Sequence, residues 1–167
     1  MKNLNFEFLR WMPCASYADM EAQGSKVLVI DTLKTDDTSR WGYFYTPNGA
    51  HINIGYADVG LIPQAVAIDG RVIVGISERL VGYHLFNNAL YFSYRMPFIF
   101  HEFIEIGDSL LIVRDEMGFV GIAHDGAELW KFCTEGVISN FKVGSYNISG
   151  ETVDGEGFTF KLPIDDR

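Results

Sequence analysis

The side chains best suited to chemistry are four histidines, His51, His84, His101 and His124, and none of them stands in a His-x-His or HExxH spacing. Zinc sites rely on such short-range ligand spacing, so the pattern predicts no metal site. His101 and Glu102 form the one adjacent histidine–carboxylate pair suited to acid–base work, a weak signal by itself. His84 and His124 end two similar apolar runs, which reads as repeated architecture. No nucleophile lies in a G-x-S-x-G elbow, since Ser145 and Ser149 fall in turn and strand contexts. The stretch GETVDGEG from Gly150 lacks the lysine and the following helix of a phosphate cradle. The sequence therefore predicts no catalytic residue and no cofactor.

Charge gives a stronger lead. The 167 residues carry a formal net charge of −9, which argues against nucleic acid, because phosphate binding draws on Lys and Arg. A basic protein partner fits better, although acidity also serves solubility. The acids gather in a few segments: LKTDDTSR from Leu33, SER from Ser77, RDEMG from Arg114 and GETVDGEG from Gly150. These hold Asp36, Asp37, Glu78, Asp115, Glu116, Glu151, Asp154 and Glu156 against Lys34, Arg40, Arg79 and Arg114. Large apolar groups sit in neighbouring segments, WMPC from Trp11, ADVGLIP from Ala57 and MPFIFHE from Met96. Apolar anchors ringed by acids are a common grip on a basic protein. The predicted partner-binding residues are Asp36, Asp37, Glu78, Asp115, Glu116, Asp154, Glu156, Trp11, Phe98 and Phe100.

The elements that position these residues follow from a repeat. Trp41, Leu80, Phe119 and Phe158 each open a short apolar run, and each stands 39 residues after the one before. Turn signals recur with the same period, at Pro47-Asn48-Gly49, Phe86-Asn87-Asn88 and Asp125-Gly126. Strand-like runs follow them: HINIGY from His51, LYFSY from Leu90 and LWKF from Leu129. A second hairpin precedes each run. Its outer strands are VLVID from Val27, RVIVGI from Arg71, SLLIV from Ser109 and YNIS from Tyr146, and its inner strands are SYADM near Ser16, AVAI from Ala65, FIEI from Phe103 and NFKV from Asn140. With 48% apolar and 14% aromatic residues, the whole chain reads as one all-β domain.

The best single unit, Phe119 to Phe132 (FVGIAHDGAELWKF), resembles the blades of quinoprotein-type β-propellers, in which a short apolar strand, an Asp-Gly-type turn and a Leu-Trp pair recur. The tryptophan position is Tyr91 in the second unit. The resemblance implies a fold and no activity, because no cofactor or metal residues of that superfamily are matched. It implies a small four-bladed propeller with units at 14–57, 58–96, 97–135 and 136–167, the last completed by the N-terminal strand 4–11. Pairing Asn5–Trp11 beside Phe158–Leu162 would close the ring and remove an exposed edge. A β-sandwich of the same hairpins is the alternative.

In size, acidity and lack of motifs the chain resembles bacterial toxin-immunity proteins in general character. The leading expectation is a non-enzymatic module that neutralises a basic toxin, with a nuclease as the candidate, by charge-steered binding. The alternative is a small-ligand or sugar-binding propeller, or a hydrolase using His101 and Glu102 in a central channel. Glu7 and Arg10 interrupt the first apolar run, no stretch nears the about 18 apolar residues of a membrane span, and Cys14 and Cys133 read as free thiols. A cytoplasmic protein that binds no membrane is expected.

Overall fold

The computed structural model describes residues 6–163. It begins with β1 (Phe6–Phe8), β2 (Trp11–Cys14), α1 (Tyr17–Gly24), β3 (Val29–Lys34), β4 (Arg40–Tyr45) and β5 (His51–Tyr56). Then come β6 (Gln64–Ile68), β7 (Arg71–Ile76), β8 (Arg79–His84) and β9 (Ala89–Arg95). A third group comprises β10 (Phe100–Ile106), β11 (Leu110–Asp115), β12 (Gly118–Ala123) and β13 (Glu128–Cys133), and the last β14 (Ile138–Val143), β15 (Asn147–Thr152) and β16 (Gly157–Lys161). In this order the four groups give a first sheet β2-β4-β5-β3, a second β1-β6-β7-β8-β9, a third β10-β11-β12-β13 and a fourth β14-β15-β16. The strands pair antiparallel except for β3 and β5, which run parallel.

The burial pattern says how the sheets stack. Strands β7 and β12 are buried along nearly their whole length, so their runs RVIVGI and GFVGIA are apolar at successive positions, as strands covered on both faces must be. In β16, GFTFK alternates, as a strand covered on one face does. Three apolar cores follow in series. Phe44, Ile52 and Ile54 of the first sheet meet Val72, Val74 and Tyr83 of the second. Ile73 and Leu80 of the second meet Phe100, Leu111 and Val120 of the third. Ile112 and Phe119 of the third meet Ile138 and Ile148 of the fourth. Polar bonds add to the joins, from the Tyr83 hydroxyl to Asp31 Oδ2 (2.7 Å) and from the Tyr91 hydroxyl to the His124 carbonyl (2.5 Å).

This arrangement overturns the propeller, and with it the quinoprotein resemblance. No sheet closes into a barrel, and none of the three cores joins the fourth sheet to the first. The layers are those of stacked, sandwich-like antiparallel sheets. The N-terminal strand does not complete the last unit: Phe6, Glu7 and Phe8 pair with Ile68, Ala67 and Val66 of the second sheet. Residues 4 and 5 of the expected closing strand lie outside the described residues.

The 39-residue step is real along the chain but does not survive as a common face. Leu80 and Phe119 both point at the next sheet. Trp41 points outward, its ring 4.8 Å from that of Tyr17 on α1. Phe158 points back at the third sheet, against Phe119 and Phe132 at 6.1 and 5.7 Å. A ring needs every unit to present the same side to its successor. Here the first sheet is capped by α1, and the fourth turns Asn140, Lys142, Glu151 and Thr159 to solvent.

The first unit departs furthest. SYADM, expected as a strand, begins α1: Ser16 is extended at the N-cap, and its hydroxyl accepts from the Asp19 backbone N–H at 3.1 Å. The Ser-x-x-Asp spacing is a capping signal that repeat matching passed over. The strand expected from Val27 becomes β3, which lies parallel beside β5 because β2 already occupies the place next to β4.

Candidate functional site

One end of the stack collects the predicted loops. The connections between sheets hydrogen-bond to the turns beside them: Phe100 N–H to Ser77 O (2.6 Å), Met96 N–H to Glu78 O (2.9 Å), Glu116 N–H to Ile99 O (3.0 Å) and Val153 N–H to Val137 O (2.8 Å). The acids of this end fare differently. Asp36, Asp37, Glu78, Asp154 and Glu156 are exposed and Glu116 is half-buried.

Asp115 and Phe100 cannot serve as surface contacts. Asp115 is fully buried and accepts from the Met117 N–H at 3.0 Å, holding its own turn, and burial pushes its carboxyl above the usual carboxylate range. Phe100 fills the core over Gly75, where a Cβ would collide with its ring. Trp11 lies half-buried against Phe44 and Tyr56, with ring centroids 5.1 and 5.8 Å apart. Phe98 is half-buried. Glu102 is held by Arg114 (3.0 Å), while burial lowers the pKa of His101. Among the described residues the sheets stack rather than ring a central channel for that pair to occupy.

The fold does bring Asp36 and Glu78 to one place. Where the β3–β4 loop meets the end of β8 and β9, a wide cleft of about 610 Å³ opens between the first and second sheets. The first sheet contributes Lys34, Thr35 and Asp36, and the second contributes Ser77, Glu78, Arg79, Ser93 and Arg95. Register places Arg79 directly opposite Arg95 and Val81 opposite Ser93, all on one side of the β8–β9 pair. Arg79 Nη2 donates to Ser93 Oγ at 3.3 Å, and Arg95 reaches Glu78 at 3.6 Å, an exposed and weak ion pair. Lys34 Nζ stands 5.4 Å from the centre of the Trp41 ring. Thr35 Oγ1 is enclosed and has no hydrogen-bond partner. Ser77 turns the β7–β8 hairpin with φ 49°, a left-handed conformation that a non-glycine residue adopts at a cost.

Sequence places Lys34 and Arg79 only as counter-charges to the loop acids, and gives Arg95 and Ser93 no role. Two arginines on facing strands of a hairpin were the available signal, hidden by a bulge between Gly82 and Tyr83 that shifts the register.

Among the described residues, no three His, Cys, Asp or Glu side chains converge as a metal site requires, and no helix is long and apolar enough to cross a membrane. No protein-family model matches the chain, and no curated protein sequence matches it. No feature of the geometry points to toxin neutralisation.

Proposed function

We propose that the protein is a binding module for a small polyhydroxylated molecule of the sugar type, held in the cleft between the first and second sheets. The observation that carries this reading is the mixed lining of that cleft. Carboxylates at Asp36 and Glu78 can accept from ligand hydroxyls, while Arg79 and Arg95 donate to ligand oxygens. Its volume falls within the roughly 300–1,000 Å³ of small-molecule sites. The test is calorimetric titration of a panel of neutral, acidic and phosphorylated monosaccharides. Binding by at least one class, weakened tenfold or more in Asp36→Ala, supports the reading; no heat from any of them at millimolar concentration overturns it.

A second reading rests on a separate observation at the same end. Val59 and Ile62, in the connection from β5 to β6, are 57% and 58% exposed, close in sequence to the Asp58–Arg40 ion pair (2.6 Å). Exposed aliphatic anchors near the acids Asp36, Asp37 and Glu78 suit a basic protein partner. A Val59→Ser, Ile62→Ser variant that captures a salt-sensitive basic partner as well as the wild type does would dispose of this reading.

A further inference from the structure

Like charges set directly opposite each other across a strand pair are destabilising. Arg79 and Arg95 are such a pair, the first residue of β8 facing the last of β9. The acid nearest to hand, Glu78, approaches only Arg95 and at 3.6 Å. Arg79 spends its guanidinium on a neutral hydroxyl, that of Ser93, and makes no ion pair within 4.0 Å among the described residues. Elsewhere Arg40 and Arg114 each have a carboxylate at 2.6 and 3.0 Å. The same chain thus pairs two arginines closely and sets two others side by side on the lining of a cleft.

We propose that this opposed arginine pair is a phosphate-binding site, and that the ligand of the cleft is a phosphorylated sugar. The proposal rests on the cleft being a ligand site and adds to it the class of ligand. Guanidinium groups bind phosphate through paired, charge-assisted hydrogen bonds. Two of them on adjacent strands can share one dianionic group, which replaces their mutual repulsion with attraction to a common charge. Asp36 would repel the phosphate and therefore faces the sugar end, where it accepts from hydroxyls; Glu78, which adjoins Arg79 and reaches Arg95 at 3.6 Å, must yield that arginine to the phosphate and turn to a ligand hydroxyl. The arrangement orients the ligand: phosphate at the β8–β9 strand ends, hydroxyls towards the β3–β4 loop.

The test uses the full chain at low ionic strength, where exposed charges are least screened. Glucose, glucose 6-phosphate and inorganic phosphate are titrated into the wild type and into an Arg79→Gln, Arg95→Gln double variant, with Arg40→Gln as a control outside the cleft. The expected result is tenfold or greater preference of the wild type for glucose 6-phosphate over glucose, abolished in the double variant and kept in Arg40→Gln. Both side chains lie at the cleft surface, so a thermal midpoint of the double variant that is unchanged or slightly raised verifies its fold. Equal affinity for the two sugars, or undiminished phosphate preference in the double variant, overturns the phosphate site while leaving a sugar site standing. Binding of inorganic phosphate that is lost in the double variant, with neither sugar bound, keeps the arginine site and sinks the sugar reading. Failure of all three probes sinks the phosphate site, and failure of the whole monosaccharide panel sinks the sugar site as well.

Discussion

Arg79 and Arg95 oppose each other across the β8–β9 ladder with no carboxylate between them close enough for a strong bond. In the unliganded chain this pair costs stability. Arg95→Thr, which introduces a β-branched residue and removes one charge, is expected to leave the thermal midpoint unchanged or raise it by up to about 2 °C. Thermal unfolding at low salt checks it. A fall of several degrees would show that Arg95 stabilises the chain through Glu78 and that the repulsion argument is mistaken.

His51 supplies a pH dependence. Its ring is fully buried, stacked on Tyr43 at 4.1 Å and set edge-on to Tyr45 at 4.4 Å, and neither ring nitrogen has a partner. Burial lowers its pKa. The unfolded chain therefore takes up a proton near pH ~6.5 that the folded chain resists, so stability present above that value is lost as pH falls through it. His101 and His124 are also lowered by burial and act with the same sign. Asp115 is raised and acts oppositely, favouring the folded state as pH falls through its folded value, in the more acidic carboxylate range. The urea midpoint is expected to drop between pH 7.5 and 5.5 (about one unit on either side of the unfolded histidine value). In His51→Phe, which fills the space without orphaned nitrogens, the midpoint should rise and the drop should shrink. An unchanged slope would mean that His51 does not titrate on unfolding.

These features divide into those a local pattern reveals and those only stacking decides. Strands β6 to β16 were legible because each has its own alternation or apolar run and its own turn; Asp69 and Gly70, both at positive φ (46° and 73°), close the β6–β7 hairpin where the Asp-Gly signal stood. The order of the layers was not legible, because a 39-residue step fixes position along the chain and leaves open the face presented. Trp41 and Phe158 illustrate this, sharing the spacing of Leu80 and Phe119 but not their direction. The site was half legible. Asp36 and Glu78 were found as loop acids, whereas the Arg79–Arg95 opposition depends on a bulged register that spacing alone does not give.

Packing within the third sheet offers a sharper test of side-chain placement. The Trp130 indole lies across Gly121, its cross-strand partner, where a Cβ would run into the ring. Trp130 in turn contacts Phe160 of the fourth sheet at 5.1 Å. Gly121→Ala must push the indole out of that seat, an overpacking cost of about 1–3 kcal/mol. Adding Trp130→Leu is expected to recover part of the loss, so the two changes are non-additive. Additive losses in urea unfolding would show that the ring does not rest on Gly121.

The open stack itself is tested by where the N-terminal strand pairs. Glu7 and Ala67 are Cα partners in the β1–β6 ladder, a separation within the range that disulfides span. In a background with Cys14 and Cys133 changed to Ser, a Glu7→Cys, Ala67→Cys variant is expected to form an intramolecular disulfide in air. A Glu7→Cys, Thr159→Cys variant, placing the second thiol on the exposed face of β16, is expected to stay reduced or to link between molecules. Closure of the chain into a ring would reverse the two outcomes, because β1 would then lie beside the fourth sheet. The cleft depends on the result only indirectly, since its walls come from β3, β8 and β9, but the exposed β16 edge follows from it directly. An intramolecular link in the Thr159 variant would restore the ring and require the acidic loops to surround a common axis.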